Sequence, residues 1–410
     1  MSHLRVRAAA VWALLLLAAP AARADDLVVG MSAAFKGPSA ELGTELYRGA
    51  LACFAEVNRG GGVHGRKIVL RAYDDGYNPV PAIQNTVRLI EKDDAFVLFG
   101  YVGTPTVTRV LPLLKRYEGR DTYLVCPFTG AEPQRRPPYD RQVFNLRASY
   151  HEETAGLVDH FVEVGRRNVA VFYQIDAYGR NGWEGVRDAL KRHGLRMTGE
   201  ATYKRGAAFT ASMKEHVAIL RRGDPDAVIC VGAYAACAAF VRDARDAGWE
   251  VPIANVSFVG SESLLTLLAG AGESAGKDYT RGLINSQVVP SYHNTDLPAV
   301  RRYRELMARH KPMPPEGLRP DDYRPLDLSF VGFEGFLDAE LLVEALKTMG
   351  ESPSRSRFRA AMESLDHLDL GTGDVLSFGP DKHQGSSRVY YTFVEGGRFV
   401  RIRDWQAWRK

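Results

Sequence analysis

The sequence predicts an α/β chain made of two doubly wound parallel-sheet lobes joined by crossing segments. Short apolar runs such as LVVGMSA, KIVLRAY, AFVLFG and TYLVC alternate with amphipathic stretches, the pattern of a parallel sheet covered by helices on both faces. The same alternation restarts after Arg147, so the architecture is duplicated without a repeat of sequence. The length of 410 residues also exceeds that of one typical domain.

Taken in order, LVVGMSA is a strand that ends in a polar loop, Phe35–Ser39. A helix follows with Tyr47, Ala50, Leu51, Phe54 and Val57 on one face, and the Gly60–Gly62 run stops it. Then come the strand KIVLRAY, a helix from near Pro81, the strand AFVLFG, a helix from about Pro105 and the strand TYLVC. In the second half a helix (about 151–165) leads to the strand NVAVFYQ, a helix (about 180–193), a strand near 197–203 and a helix (about 209–222). DAVICV, a helix (about 234–247), a strand near 252–258 and a short helix complete it. The tail reads as an irregular Pro-rich loop (311–327), helices at about 329–349 and 354–365, and a β-hairpin turning at Gly396-Gly397.

The first 24 residues have the form of a signal peptide: Arg5 and Arg7, an apolar run from Ala8 to Ala19, then Ala22-Arg23-Ala24 as a cleavage site. The run is too short for a bilayer span, and Asp25 rather than Cys follows the cut. The expected product is soluble and exported, most simply into a bacterial periplasm. Loss of three arginines and no acid lowers the formal charge from +4 to about +1, which offers no counter-ion field for nucleic acid.

The motif search argues against catalysis. Gly60-Gly61-Gly62-Val63-His64-Gly65 fits GxGxxG, but it lies between a helix and the next strand, not between a strand and the next helix. His151-Glu152-Glu153-Thr154 begins like HExxH, but Ala155 stands at the fifth position, so the stretch reads as a helix opening with acids at its positive end. Asp74 and Asp75 are adjacent on a strand and point to opposite faces. The four cysteines sit in apolar surroundings, and no CxxC motif occurs, so neither zinc nor dithiol chemistry is indicated and no cofactor is expected.

In doubly wound sheets, ligands bind beyond the carboxyl ends of the strands. That rule selects Lys36–Ser39, Tyr101–Thr106, Phe128–Ala131, Asp176–Tyr178, Gly232–Tyr234 and Ser257–Gly260. Most of these loops carry Gly, Ser, Thr or Tyr, suited to hydrogen bonding a small ligand.

GPSAELGTELYRGALACFAEVNRGGGVHGRKIVLRAYDDGYNP, GYVGTPTVTRVLPLLKRYEGRDTYLVCPFTGAEPQRR, VAVFYQIDAYGRNGWEGVRDAL and DAVICVGAYAACAAFVRDARDAG resemble the Leu/Ile/Val-binding family of ABC-transporter substrate-binding proteins. The resemblance covers essentially the whole mature chain and implies the type I periplasmic binding fold with three crossing strands. These fall near Leu146–Tyr150, Ser286–Val289 and Leu370–Asp374. It places residues 25–147 plus 288–372 in the first lobe and 148–287 plus 373–410 in the second.

The resemblance further implies that a ligand carboxylate is held by Thr104 and by the loop at Thr129 and Gly130. Tyr178 and Tyr234 close over the ligand from the second lobe, Leu42 lies on the first-lobe rim and Phe128 walls the pocket. The family's acidic anchor for a ligand ammonium aligns near Ser257, with Asp176 or Glu262 as candidate replacements. Tyr77 and Gly103 occupy the places of its first-lobe cysteine pair. The reading is a non-enzymatic, monomeric solute receptor that binds a small organic molecule (amino-acid-like, an amide or a carboxylate) by hinge closure and delivers it to an inner-membrane ABC permease. A ligand-sensing subunit for a membrane kinase or chemoreceptor, or an exported α/β enzyme, are the alternatives.

Overall fold

The computed structural model describes residues 26–320 and 323–410; the signal peptide expected at 1–24 lies outside them. β1 (Leu27–Ala33), α1 (Ala40–Arg59), β2 (Ile68–Asp74), α2 (Pro79–Glu91), β3 (Val97–Phe99), α3 (Thr104–Arg116), β4 (Leu124–Val125) and β5 (Val143–Phe144) form the first α/β unit. α4 (Tyr150–Glu163), β6 (Val169–Gln174), α5 (Ala177–Arg192), β7 (Gly199–Tyr203), α6 (Lys214–Arg221), β8 (Ala227–Val231), α7 (Tyr234–Asp246), β9 (Ile253–Asn255), α8 (Ser261–Ala275) and β10 (Leu283–Gln287) form the second. The chain then returns through α9 (Pro298–His310), α10 (Phe330–Thr348), α11 (Arg355–Glu363) and a small hairpin, β11 (Leu368–Asp369) and β12 (Val375–Leu376). It ends in β13 (Tyr390–Glu395) and β14 (Arg398–Arg401).

The expected two-sheet α/β architecture holds. The first sheet is parallel throughout, in the order β2-β1-β3-β4-β5. The second runs β14-β13-β10-β9-β8-β6-β7. Its β7-β6-β8-β9-β10 part is parallel and repeats the strand order of the first sheet, while β13 and β14 add on antiparallel. Both sheets therefore change winding direction after their first strand, at β1/β3 and at β6/β8, where the ends of neighbouring strands diverge into a crevice. The central strands carry almost unbroken apolar runs, and β8 (AVICV) is wholly buried, as a strand covered on both faces requires.

α10 returns to pack along α1. A β-carbon on Gly49 would lie 1.8 Å from the Gly332 carbonyl oxygen, and one on Gly335 would lie 2.2 Å from that of Leu46. These glycines allow the two backbones to touch, which brings residues 330–348 into the first unit. α9 stands where no element is expected from the sequence. Its arginines mask an apolar stripe of Ala299, Val300, Tyr303, Leu306 and Met307, all buried. α8 spans 15 residues and is not the short helix expected.

Three passages link the units. The first runs from β5 to α4, the second from β10 to α9. The third differs from expectation: residues 370–374 form the loop of the small hairpin, and the chain stays on the first unit beyond it. His383 stacks on Phe144 at 4.0 Å, and the Phe378 amide bonds to the Leu365 carbonyl oxygen. The third passage lies at 384–389, beside the first, where Gly385 donates to Asn145 and Ser386 to Leu146. Aromatic packing of residues 378–383 moves the crossing later in the chain.

Candidate functional site

Both switch-point crevices face each other across the contact between the lobes. On the first lobe, α3 begins at Thr104 with Pro105 in its first turn, after Gly103. The Thr104 hydroxyl does not cap its own helix; it hydrogen-bonds the Thr129 hydroxyl at 2.7 Å, and both side chains are buried. Thr129 is positioned by Phe128, whose amide donates to Tyr101 and whose carbonyl accepts from Gly103. The Gly130 carbonyl accepts from the Tyr150 amide at 2.7 Å, and a β-carbon there would collide with that tyrosine. Tyr150 is thereby turned inward at the start of α4. Its buried hydroxyl, beside Thr129, has no partner that meets hydrogen-bond geometry.

On the second lobe, Asp176 caps α5 by accepting from the Tyr178 amide at 3.0 Å. This starts the helix with the Tyr178 ring facing the interface and its hydroxyl on the Gly232 carbonyl at 3.3 Å. After β9 the chain makes a short 3-10 turn, Ser257–Val259. That turn inserts Phe258 between the lobes, with its ring centroid 4.6 Å from Tyr178, 5.2 Å from Phe128 and 5.9 Å from Tyr77. Tyr77 accepts from the Gln174 side chain of the opposite lobe at 3.3 Å. Tyr234 opens α7, and its hydroxyl receives the Glu41 amide at 3.4 Å. Leu42 lies against Gly260, again across the lobes. Leu42, Tyr77, Tyr234 and Phe258 thus each make a contact from lobe to lobe across this interface.

Of the residues selected from sequence, Leu42, Thr104, Phe128, Thr129, Gly130, Tyr178 and Tyr234 lie at this one interface. Ser257 is adjacent to it but points elsewhere. Its amide and hydroxyl donate to Glu153 at 2.7 and 3.0 Å, and it also accepts from Arg147. Arg147 pairs with Glu153 and with Glu334 of α10, each at 3.3 Å, and its guanidinium lies over the Phe128 ring at 4.8 Å. Ser286 completes the cluster on Glu153 at 2.6 Å. This charged layer lies behind the aromatic one, buried on all sides, and ties together the first passage, α10 and the second sheet. Burial raises the Glu334 carboxyl to about 7 against the pull of Arg147.

The two candidate acids are also committed elsewhere. Asp176 holds Gln174 at 2.7 Å and Arg205 at 3.3 Å besides capping its helix. Glu262 accepts from the Phe330 amide at 3.2 Å, on the α8–α10 side, and burial raises it to about 7. Sequence reasoning did not select Phe258, Tyr150 or Arg147 as site residues. Phe258 falls in the selected Ser257–Gly260 loop, and only the turn geometry decides which neighbour enters the cleft.

The described residues contain no cluster of His, Cys, Asp or Glu placed to hold a metal ion, and no helix long and apolar enough to cross a membrane.

Comparison with known proteins points to one family. The model of the family described as "Periplasmic binding protein" matches residues 26–398. A possible leucine/isoleucine/valine-binding protein from Rhodopirellula baltica SH 1 has a solved structure with a TM-score of 0.82 and 33% identity, covering 94% of this chain and 98% of that one. A substrate-binding periplasmic protein from Ralstonia solanacearum superposes with a TM-score of 0.80 at 28% identity, covering 92% of this chain and all (100%) of that one. The leucine-specific-binding protein of Salmonella typhimurium (strain LT2) is 26% identical over 257 residues, 62% of this chain and 66% of that protein's length. The family is one of substrate-binding proteins, not of enzymes. The chain belongs to the periplasmic binding proteins, in the Leu/Ile/Val-binding group of the type I fold.

Proposed function

We propose that this protein captures a small organic acid with an apolar body, lacking an α-ammonium group, between its lobes in the periplasm and delivers it to an inner-membrane ABC importer. One observation carries the choice of ligand: the interface offers aromatic rings and hydroxyls, while Glu153 and Asp176 are already paired with Arg147 and Arg205. The Thr104–Thr129 pair, which keeps one hydroxyl proton free, and the Tyr150 hydroxyl can donate to a carboxylate, aided by the amides at the start of α3, where the helix dipole favours negative charge. Phe128, Tyr178, Phe258 and Tyr77 would surround an apolar chain or ring. An ammonium buried here would need a compensating anion; Glu153 and Asp176 are neutralised by Arg147 and Arg205, and Glu262 is turned to the Phe330 amide on the α10 side. Binding would draw on an open–closed equilibrium and favour the closed form.

Isothermal titration with paired ligands tests the reading: 4-methylpentanoate against leucine, and 3-phenylpropanoate against phenylalanine. The acids should bind and compact the protein in small-angle scattering. Binding of leucine with no response to either acid would overturn the proposed ligand class.

A further inference from the structure

A cavity of about 640 Å³ lies on the passages between the lobes and outside the aromatic interface. Its walls come from the start of the second passage (290–297), the hairpin loop (372–374), the third passage with the start of β13 (388–390) and β14 with its continuation (398–403). Four arginines line it: Arg388, Arg398, Arg401 and Arg403. Arg388 is neutralised by Asp374 at 2.6 Å, and that carboxylate also accepts from the Tyr390 hydroxyl. Among the described residues, Arg398, Arg401 and Arg403 have no carboxylate within ion-pair distance, although Asp296 also lines the cavity. His293 faces the same space, and burial together with Arg398 and Arg304 holds its imidazole below the usual range.

Three unpaired guanidiniums around one concavity create a positive potential that counter-ions will seek. Arginine forks match oxyanions bidentately, so the chemistry favours phosphate and carboxylate groups over halides. We infer that this cavity is a binding site for a small multivalent oxyanion, either a polyphosphate or a polycarboxylate, distinct from the interlobe cleft. Because its walls belong to two of the three passages and to the hairpin loop beside them, an anion seated there bridges the segments that must bend when the lobes open.

The test uses isothermal titration of the protein with pyrophosphate and with citrate, each against sodium chloride at matched ionic strength. Saturable binding of at least one anion is expected, weakened about tenfold or more by Arg398→Gln or Arg401→Gln, the effect of losing one charge-assisted contact. Both arginines are exposed, so the variants should keep the parent's thermal unfolding curve. NMR titration of the His293 ring supplies a second readout: the bound anion should raise its pKa in the parent and less so in the variants. Tighter binding of pyrophosphate assigns the site to phosphates, and tighter binding of citrate assigns it to polycarboxylates. The absence of saturable binding beyond the chloride control, or equal affinity in the variants, overturns the proposal. So does retention on anionic lipid vesicles with no response to either soluble anion.

Discussion

The ring of Tyr77 packs directly on Gly103: a β-carbon built on that glycine would stand 2.0 Å from the ring's Cε2. Gly103 also has φ +98, a conformation that side chains strain. Gly103→Ala should therefore cost stability twice, through backbone strain of about 1–3 kcal/mol and through displacement of Tyr77. A double-mutant cycle in urea separates the two contributions. In a Tyr77→Ala background the steric part should vanish and the backbone part remain; strictly additive costs would show that the ring is no obstacle.

Phe258 touches aromatic rings of both lobes, so its removal should loosen closure more than it loosens either lobe. Phe258→Ala is expected to enlarge the radius of gyration of the ligand-free protein in small-angle scattering. A profile superimposable on that of the parent would mean that the closed arrangement rests on other contacts.

Arg147 is the only cation that the described ion pairs place on Glu153 and Glu334. Arg147→Met would leave both acids buried without their partner, a loss typically worth about 3–5 kcal/mol. Chemical denaturation measures it. A change below about 1 kcal/mol, the range of exposed pairs, would contradict the burial argument.

Glu262 gives a pH dependence with a definite sign. Burial raises its carboxyl to about 7 in the folded protein, above the usual value of about 4.3 in an unfolded chain. Between those values the folded state holds a proton that the unfolded state has released. Its contribution to stability is fully present below the lower value and is lost as pH rises through the upper one. Glu262→Gln should flatten this part of the profile, making the variant gain on the parent between pH 5 and pH 8. Parallel stability profiles for the two proteins would count against a raised Glu262.

Thr104 and Thr129 form a pair of hydroxyls 2.7 Å apart. Thr129→Val keeps the volume but removes one of them, leaving Thr104 without its partner. If a carboxylate docks there, affinity for the acid ligands should fall roughly ten- to a hundredfold, the cost of one lost hydrogen bond to a charged group. Titration calorimetry decides it, and equal affinity would place the carboxylate elsewhere.

Much of this organisation could be read from the residues themselves. β6 and β8 consist of runs that only a two-sided sheet can bury, and the loops beyond the strand ends follow from the winding rule. That is why the loops carrying Thr104, Phe128, Thr129, Tyr178 and Tyr234 could be selected, while the family resemblance singled out those residues within them. What escaped depends on backbone direction over one or two residues. The turn after β9 sends Ser257 toward Glu153 and Phe258 into the interface, and no pattern in VSFVG distinguishes the two. Tyr150 turns inward because the Gly130 carbonyl holds its amide. The pairing of Arg147 with Glu334 joins positions far apart in the chain that only the return of α10 brings together. α9 escaped because four arginines dilute its apolar stripe.

The layering of rings over charges has an evolutionary consequence. The side chains that would meet a ligand hang from turns at strand ends, while the charges that tie the lobes together sit one layer deeper, on the first passage, α4 and α10. A lineage can exchange Phe258, Tyr178 or Tyr77 for residues suited to a different ligand and leave the joint intact. The same separation makes the protein a chassis for biosensors, in which the recognition surface is rewritten and the bending mechanism retained.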